Sequence, residues 1–534
     1  MERASASDPR GDGLQHNFNP NPAWAATLVM LGILVSRILG FVRERAVADL
    51  FGRTPATDAY WAAFSVPDLM YYLLIGGALS SAFIPVFTEY LAKEREKEAW
   101  YVASSFINTV VVLMLAFVVF GTLFAPQLAP LVAYEFKGEQ LRLLVRLMRM
   151  MFPAVFFTAL SGIGAGILNS YRRFGIPAFG PIAYNLCIIA AAYLLGPRYD
   201  IPGLAVGVVV GAVVNFSLQV WFASRYNAGY RLVIDFSHPG PRKMLHLFLP
   251  TLLGLSISQI NLLVNQNLAS GLSGGITALR LANRLMQLPL GLFATAISTV
   301  IFPTMTRQAA LRQMDDFRRS VATGLQVIYF ITVPASVGLI VLAVPIVRLL
   351  YQTGRFSAAD TQATATALIF YSLGLFTQSA VQHLTRAYYS LQDTTTPVRV
   401  GLLTVAANIA MSAWFVKGVH LGHGGVALAF ALTSLLDMIF LTWLLRPKLH
   451  HLHGRAVLTS FVKSVAASLA MGAAVWATVR LLEPRLNLAT NLGRFTEVGA
   501  GISVGIVVYA AAALLLQMEE IPLIMRLFRR RTAH

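Results

Sequence analysis

Long apolar runs alternate with short polar turns along the whole chain of 534 residues. Fourteen such runs can be marked, centred near residues 36, 75, 112, 157, 186, 214, 257, 290, 332, 374, 407, 434, 469 and 504. Each holds about 20 residues, enough for a helix to cross about 30 Å of hydrocarbon. The second, fourth and tenth are interrupted by Gly, Pro or polar residues. The pattern predicts an all-α polytopic membrane protein. Residues 1–22 are polar and rich in Pro, Asn and Asp, which predicts a disordered tail. The apolar run that follows is too long and too charged for a signal peptide.

The runs repeat. Gly76 to Pro85 (GGALSSAFIP) aligns with Ala294 to Pro303 (ATAISTVIFP). Asn169-Ser170-Tyr171 followed by Ile176-Pro177 aligns with Tyr389-Ser390-Leu391 followed by Thr396-Pro397. The two alignments share nearly one offset in the numbering, from 76 to 294 and from 169 to 389. About six runs fit in one period, and an even number returns the chain to its starting side. Parallel repeats related by an axis along the membrane normal are therefore expected. The expected organisation is a lobe of helices 1–6 (23–224), a linker (225–243) and a lobe of helices 7–12 (244–446). Helices 13–14 (447–518) and a basic tail (519–534) follow. Two pseudo-symmetric six-helix lobes of this kind enclose a central cavity and rock about it.

Composition supports the membrane reading: 56% of residues are hydrophobic and only 12% charged, with mean hydropathy +0.64, against about 25% charged in soluble domains. The formal charge of +18 does not require a nucleic-acid partner. Most of it falls in alternate loops, at Lys93, Arg95, Lys97, Arg172, Arg173, Arg225, Arg242, Lys243, Arg312, Arg399 and Lys448, and in the tail from Arg526 to Arg531. That asymmetry is the positive-inside signal and places both termini in the cytoplasm. Cys187 is the single cysteine, so no intramolecular disulfide can form. His450, His451 and His453 sit in a basic loop without Cys or carboxylate, a poor metal site. No catalytic triad, zinc signature or Walker sequence is present.

The informative residues are charges inside apolar runs. Arg37 and Arg43 interrupt the first run and Arg284 the eighth. A guanidinium at the bilayer centre costs about 2.5–3.5 kcal/mol on insertion scales, so these groups are expected to face a polar interior. Their planar forks suit phosphate. Arg37 and Glu44 fall about 20° apart on one helical face, so Arg37 either pairs with Glu44 or binds substrate. Arg43 points elsewhere and could do either. Arg45 is expected to snorkel to headgroups. Asp58 either neutralises an arginine or caps its own helix. Arg280 shares a face with Arg284, and Asn283 lies beside the latter. Ser36, His383 and Arg386 are further candidates for the cavity wall.

The strings Ser36-Arg-Ile-Leu-Gly-Phe-Val-Arg43-Glu44, Ala56-Thr-Asp58-Ala-Tyr60 and Ser80-Ser-Ala-Phe-Ile-Pro85 resemble the opening of the MurJ (MviN) family. Asn283-Arg284-Leu-Met-Gln-Leu-Pro289 and Gln392-Asp393-Thr-Thr-Thr-Pro397 are similar to later parts of it. That family comprises lipid II flippases of the multidrug/oligosaccharidyl-lipid/polysaccharide exporter superfamily. The resemblance implies fourteen spans, the last two lining a groove for a lipid tail. It also implies functional roles for Arg37, Arg43, Asp58 and Arg284. The chain departs from the pattern at Tyr71-Tyr72, Gly76 and Asn283, where arginines, a glutamate and an aspartate are common. Some members bind sodium. The resemblance maps ligands onto Asp393 and Val405, but Asn265 and Ile409 replace two others.

The resemblance thus implies a flippase, not an enzyme. Its substrate would be the undecaprenyl-diphosphate-linked peptidoglycan precursor, moved from the cytoplasmic to the outer leaflet of the bacterial inner membrane by alternating access. Membrane potential or an ion gradient would drive it, no cofactor beyond a possible sodium ion is expected, and a monomer in contact with the cell-wall machinery would suffice. The alternatives are an exporter of another polyprenyl-linked glycan or of drugs, a membrane glycosyltransferase, and a scaffold. Cavity carboxylates would mark a drug exporter, and a large outer loop with carboxylates an enzyme.

Overall fold

The computed structural model describes residues 22–73, 82–226, 229–449 and 454–522. Gly76, the three histidines of 450–453 and the basic tail lie outside these residues, as does the side chain of Tyr71. The described chain is helical apart from turns and one extended linker.

The first half contains α1 (Pro22–Phe51), α2 (Pro55–Tyr71), α3 (Ile84–Ala92), α4 (Glu96–Leu123), α5 (Ala125–Val132), α6 (Gly138–Ser170), α7 (Gly175–Leu194), α8 (Gly196–Tyr199) and α9 (Ile201–Ala223). The second contains α10 (Pro239–Ala269), α11 (Gly275–Pro289), α12 (Thr295–Ala310), α13 (Met314–Val341), α14 (Ala343–Tyr351), α15 (Ala358–Leu373), α16 (Leu375–Ser390), α17 (Thr395–Ala413) and α18 (Gly422–Leu449). Then come α19 (Gly454–Leu482) and α20 (Asn491–Leu515). A π-turn over Leu290–Ala294 follows Pro289 and joins α11 to α12, where proline's missing N–H loosens the ladder.

Ten helical stretches among the described residues are long and apolar enough to cross a membrane, eleven when α15 and α16, bent by 42°, count as one span. The other three expected spans coincide with α1, α10 and the α2–α3 pair, the last of which has residues 74–81 outside the described ones. The protein is therefore an all-α polytopic membrane protein.

Helices α1, α2, α4, α6, α7 and α9 pack on one another, as do α11 to α18; α19 lies against α13, and α20 against α19 and α14. The backbone repeats at the spacing of the sequence. Left-handed residues close helices at Glu94, Arg172 and Asp200 (φ 57°, 58° and 56°), and again at Arg312, Gln392 and His420 (φ 57°, 59° and 57°). Each of the second three follows its counterpart at the offset of the sequence repeat. At Glu94, Arg172, Arg312 and Gln392 the same pair of backbone bonds follows, for example Glu94 N to Leu91 O and Arg95 N to Tyr90 O. Such αL closures satisfy carbonyls that a helix end leaves bare.

The bundle has two dissimilar ends. One holds the α3–α4, α6–α7, α12–α13, α16–α17 and α18–α19 connections with most of the loop arginines and lysines; we call it the basic end. The other holds the α1–α2, α10–α11 and α14–α15 turns, where the two halves meet; we call it the latch end.

Candidate substrate cavity

The latch end is built around a helix that cannot cap itself. The N-cap position of α11 is Gly274, in the left-handed region at φ 70° and without a side chain to offer. The first-turn N–H groups of a helix have no internal partner. Asp58, on α2 in the other half, supplies the acceptor: its Oδ1 takes the Thr277 N–H at 2.8 Å and the Thr277 hydroxyl at 2.6 Å, fully buried. An acceptor oxygen also suits the positive end of the α11 dipole. This corrects both sequence readings of Asp58. Among the described residues it pairs with no arginine, and its own helix is capped by Thr54 through a capping box with Thr57.

Around this cap run further cross-links. Arg53 Nε pairs with Asp360 Oδ1 at 3.0 Å and Arg53 Nη1 donates to Ser273 O at 2.9 Å. Arg355 N donates to Asp49 O at 2.8 Å. Asn267 Nδ2 reaches the carbonyls of Pro130 and Leu131, and Ser270 Oγ accepts from Glu135 N. A side chain at 274 would collide with Arg53, which fixes glycine there a second time.

Below the latch, α1 and the α11–α12 span exchange arginines. The Arg284 guanidinium lies over Gly40 of α1, 3.0 Å from where a Cβ would sit, and the Arg37 guanidinium lies over Gly291, 2.9 Å from that position. Each arginine thus uses the bare backbone of the facing helix as its seat. Glu44, almost wholly buried, sits between Arg43 (3.5 Å) and Arg284 (3.7 Å). Of the two partners left open for Glu44 on helical geometry, the structure selects Arg43 and not Arg37, which is exposed, and adds Arg284 from the facing helix. Arg43 is buried against the Phe64 ring at 5.2 Å. The side chains of Ser36 and Asn283 are half-buried on the same two helices.

A further ion pair spans the halves. Arg280 Nη2 donates to Asp68 Oδ2 at 3.0 Å, with the guanidinium over the rings of Trp61 (4.3 Å) and Phe64 (5.3 Å). Asp68, Arg53, Asp360 and Thr277 were not singled out from sequence. Asp68 was findable, as a carboxylate one residue after Pro67 within an apolar run; Thr277 carried no such signal.

Other candidates are engaged by neighbouring helices. His383 is buried in the α13–α16 contact, its Nε2 3.2 Å from Val321 O and its ring against Gly324, so it is a packing residue. Arg386 turns to α12, donating to Thr299 Oγ1 at 2.8 Å. The proposed sodium ligands are not brought together. Asp393 closes an Asx-turn on Thr395 and Thr396 and pairs with Lys448. Asn265 instead bonds Asn261, Asn408 and Ser412. Asn408 lies about 22 Å along α17 from Asp393 at 1.5 Å per residue, and Val405 is one turn short of it. A cation wanting five or six oxygens does not fit this arrangement, and no step is assigned to one. Arg45 remains half-buried on α1 near Arg348 and Arg494.

The last two helices are fastened where the latch is. Arg348 of α14 holds Glu497 of α20 at 3.3 Å and Glu483 after α19 at 3.4 Å, the Glu497 side chain being fully buried. The outer faces of both helices are apolar, with Leu458, Val462, Leu469, Ile502, Ile506 and Val507 exposed.

A polytopic helical bundle with arginines on facing helices and its two halves cross-linked at the latch end is the framework of a transporter. Comparison with known proteins gives the family. Residues 47–488 match the family Lipid II flippase MurJ, and the chain belongs to it. The chain is 33% identical over 503 residues to the probable lipid II flippase MurJ of Vibrio cholerae, covering 90% of this chain and 94% of that one. It is 29% identical over 448 residues to the lipid II flippase MurJ of Burkholderia cenocepacia, covering 82% and 86%. Among solved structures it is similar to a lipid II flippase MurJ in an inward closed conformation, with a TM-score of 0.78, 28% identity and coverage of 93% and 100%. A multidrug MATE transporter of the MOP superfamily, at 15% identity and TM-score 0.65, covers 80% of this chain and 98% of that one and shares the fold. The family is one of transporters, not enzymes.

Proposed function

We propose that this chain moves lipid II from the cytoplasmic to the outer leaflet by alternating access, and that the structure is a state closed on the outer side. The positive-inside rule makes the basic end cytoplasmic and the latch end extracytoplasmic. The fourteen spans then divide into two six-helix lobes joined by the 225–243 linker, with α19 and α20 beside the second. The left-handed turns that recur at the spacing of the sequence repeat support the two-lobe reading.

One observation carries the substrate reading: Arg37 and Arg284, each seated on a glycine of the facing helix, with Glu44 between Arg43 and Arg284. Three arginines against one carboxylate leave two positive charges, and a diphosphate diester carries two negative ones. Guanidinium forks bind such oxygens bidentately. The sugar–peptide head would occupy the polar seam, and the prenyl tail would stay in lipid along the apolar faces of α19 and α20. Moving one charge through 100 mV is worth about 2.3 kcal/mol, enough to bias a two-state cycle.

The test is a leaflet-accessibility assay for lipid II in cells depleted of the protein and complemented with variants. Arg37→Ala and Arg284→Ala should leave folded protein in the membrane and abolish flipping. Normal flipping by either would remove the diphosphate role.

A further inference from the structure

We infer that Asp68 is a built-in stand-in for a substrate phosphate: it holds Arg280 in the empty cavity, gives it up to the diphosphate, and takes it back to expel the product. This rests on the reading that cavity arginines bind the diphosphate.

The two members of the pair are held very differently. Arg280 lies on the Trp61 and Phe64 rings at 4.3 and 5.3 Å, which fixes its guanidinium whatever its anion is. Its Nε is buried and has no acceptor among the described residues, so Asp68 does not saturate the guanidinium of a side chain that is 24% exposed. Among the described residues the Asp68 side chain has one bond, to Arg280, and it is 49% exposed. The arginine is anchored and the carboxylate is exchangeable. Asp58, on the same helix, is the contrast: fully buried with two bonds to Thr277, it has no route to exchange.

Position adds the consequence. Asp68 lies about 20 Å along α2 from Pro55, well below the latch. The Phe64 ring carries Arg43 at 5.2 Å as well as Arg280, which brings the two guanidinium groups within about 10 Å of each other. A diphosphate bound by Arg43 therefore reaches Arg280, and its forked, charge-assisted bonds outcompete a single carboxylate contact. The pair also joins α2 to α11, across the halves. Displacing Asp68 removes a tie between the lobes at the moment substrate is aboard. An empty carrier keeps that tie, which discourages opening without cargo.

The experiment measures flipping in proteoliposomes as a function of lipid II content. Asp68→Asn loses the competing charge, so KM should fall about three- to fivefold, the range a half-exposed ion pair supports. The same change should lower kcat, because product is no longer displaced. Arg280→Gln should raise KM, and Asp68→Asn combined with Arg280→Gln should match Arg280→Gln alone, since Asp68 acts through Arg280. Asp68→Glu, which keeps the charge, should stay near wild type and guards against a folding artefact. A rise in KM for Asp68→Asn, or additive losses in the double variant, would overturn the exchange. Arg37→Ala in the same vesicles separates the two ideas. If it abolishes flipping while Asp68→Asn leaves KM and kcat unmoved, only the exchange fails. If Arg37→Ala flips normally while KM still shifts at Asp68, the diphosphate site must be redrawn around Arg43 and Arg280.

Discussion

At the latch end the halves are joined by several bonds, from the buried pair of Thr277 and Asp58 out to Arg53 with Asp360 and Ser273 at the rim, and Arg355 N with Asp49 O. At the basic end the contacts stay within a half or run from the first half to the linker and the first turns of α10. Lys448 meets Asp393, Thr306 meets Ser390, and Lys243 at the start of α10 meets Glu89. Among the described residues, no hydrogen bond or ion pair joins the basic-end turns of α12, α13, α16 or α17 to α1–α9. The same two halves are thus sealed at one end and separable at the other. The seal is made of groups that are costly to expose, since a buried acceptor or donor left unpaired forfeits about 1–3 kcal/mol. On the proposed orientation, opening at the latch end would break several bonds together or need replacements for them, and the proposed cargo-operated tie lower in the seam would serve that step.

The largest break in this contrast should come from Asp58→Ala. It strips α11 of its cap and leaves the Thr277 N–H buried without an acceptor. We expect flipping to fall at least tenfold and the melting temperature to drop by several degrees. Asp58→Asn, which keeps an acceptor for Thr277, should recover most of the melting temperature. Unchanged melting in Asp58→Ala would show that the cap does not hold the seal.

Next in size is Gly291→Leu. It fills the seat of Arg37 from the opposite half without touching any charge. KM for lipid II should rise about tenfold, the loss of one charge-assisted bond. Gly291→Ala should do less, because a flexible guanidinium can yield a few tenths of an ångström. Equal KM for all three would mean that the seat does not position Arg37.

Much of this was legible in the sequence, and the rest was hidden for identifiable reasons. Apolar run length gave the helices, and the offset between the two sequence repeats reappears in the left-handed turns at Glu94 and Arg312 and at Arg172 and Gln392. Arg37, Arg43 and Arg284 stood out because charge is expensive in lipid. Their seats on Gly40 and Gly291 did not, since a glycine in a membrane helix has many uses. The role of Asp58 was misread because the helix it caps lies 219 residues away. His383 looked like a cavity group by type, whereas its burial depends on Gly324 of another helix. The sodium set failed because Asp393 is spent on Lys448 and its own turn.

A smaller effect is expected from Arg53→Ala, at the rim of the seal. Its partner Asp360 is also held by Ser357 in a capping box, so the carboxylate keeps hydrogen bonds when the arginine leaves. Ion pairs near the surface contribute about 0.2–1 kcal/mol. We expect flipping within about threefold of wild type and a small loss of thermal stability. That loss should shrink at high salt, because the pair is screened. A loss as large as that of Asp58→Ala would place the seal at the rim rather than at the α11 cap.

The smallest effect concerns pH at the basic end, where the linker is strapped to α4. Tyr101 Oη donates to Asp235 Oδ2 at 2.9 Å, and the Ser237 and His238 N–H groups donate to its Oδ1. The Tyr101 bond, followed by the Ser237 N–H bond, holds this carboxyl below its ordinary value. A group lowered by folding contributes stability that is complete above its unfolded value of about 3.9 and is lost as pH falls beneath it. Hydrogen exchange at residues 231–237, corrected for intrinsic rates, should therefore be flat from pH 8 to pH 5 and should rise only in stronger acid. Asp235→Asn should loosen the strap equally at every pH. His238 lies beside the strap, with Nε2 3.5 Å from Glu98. If protection changes between pH 7 and pH 5 and His238→Gln abolishes the change, the strap is governed by that histidine rather than by Asp235.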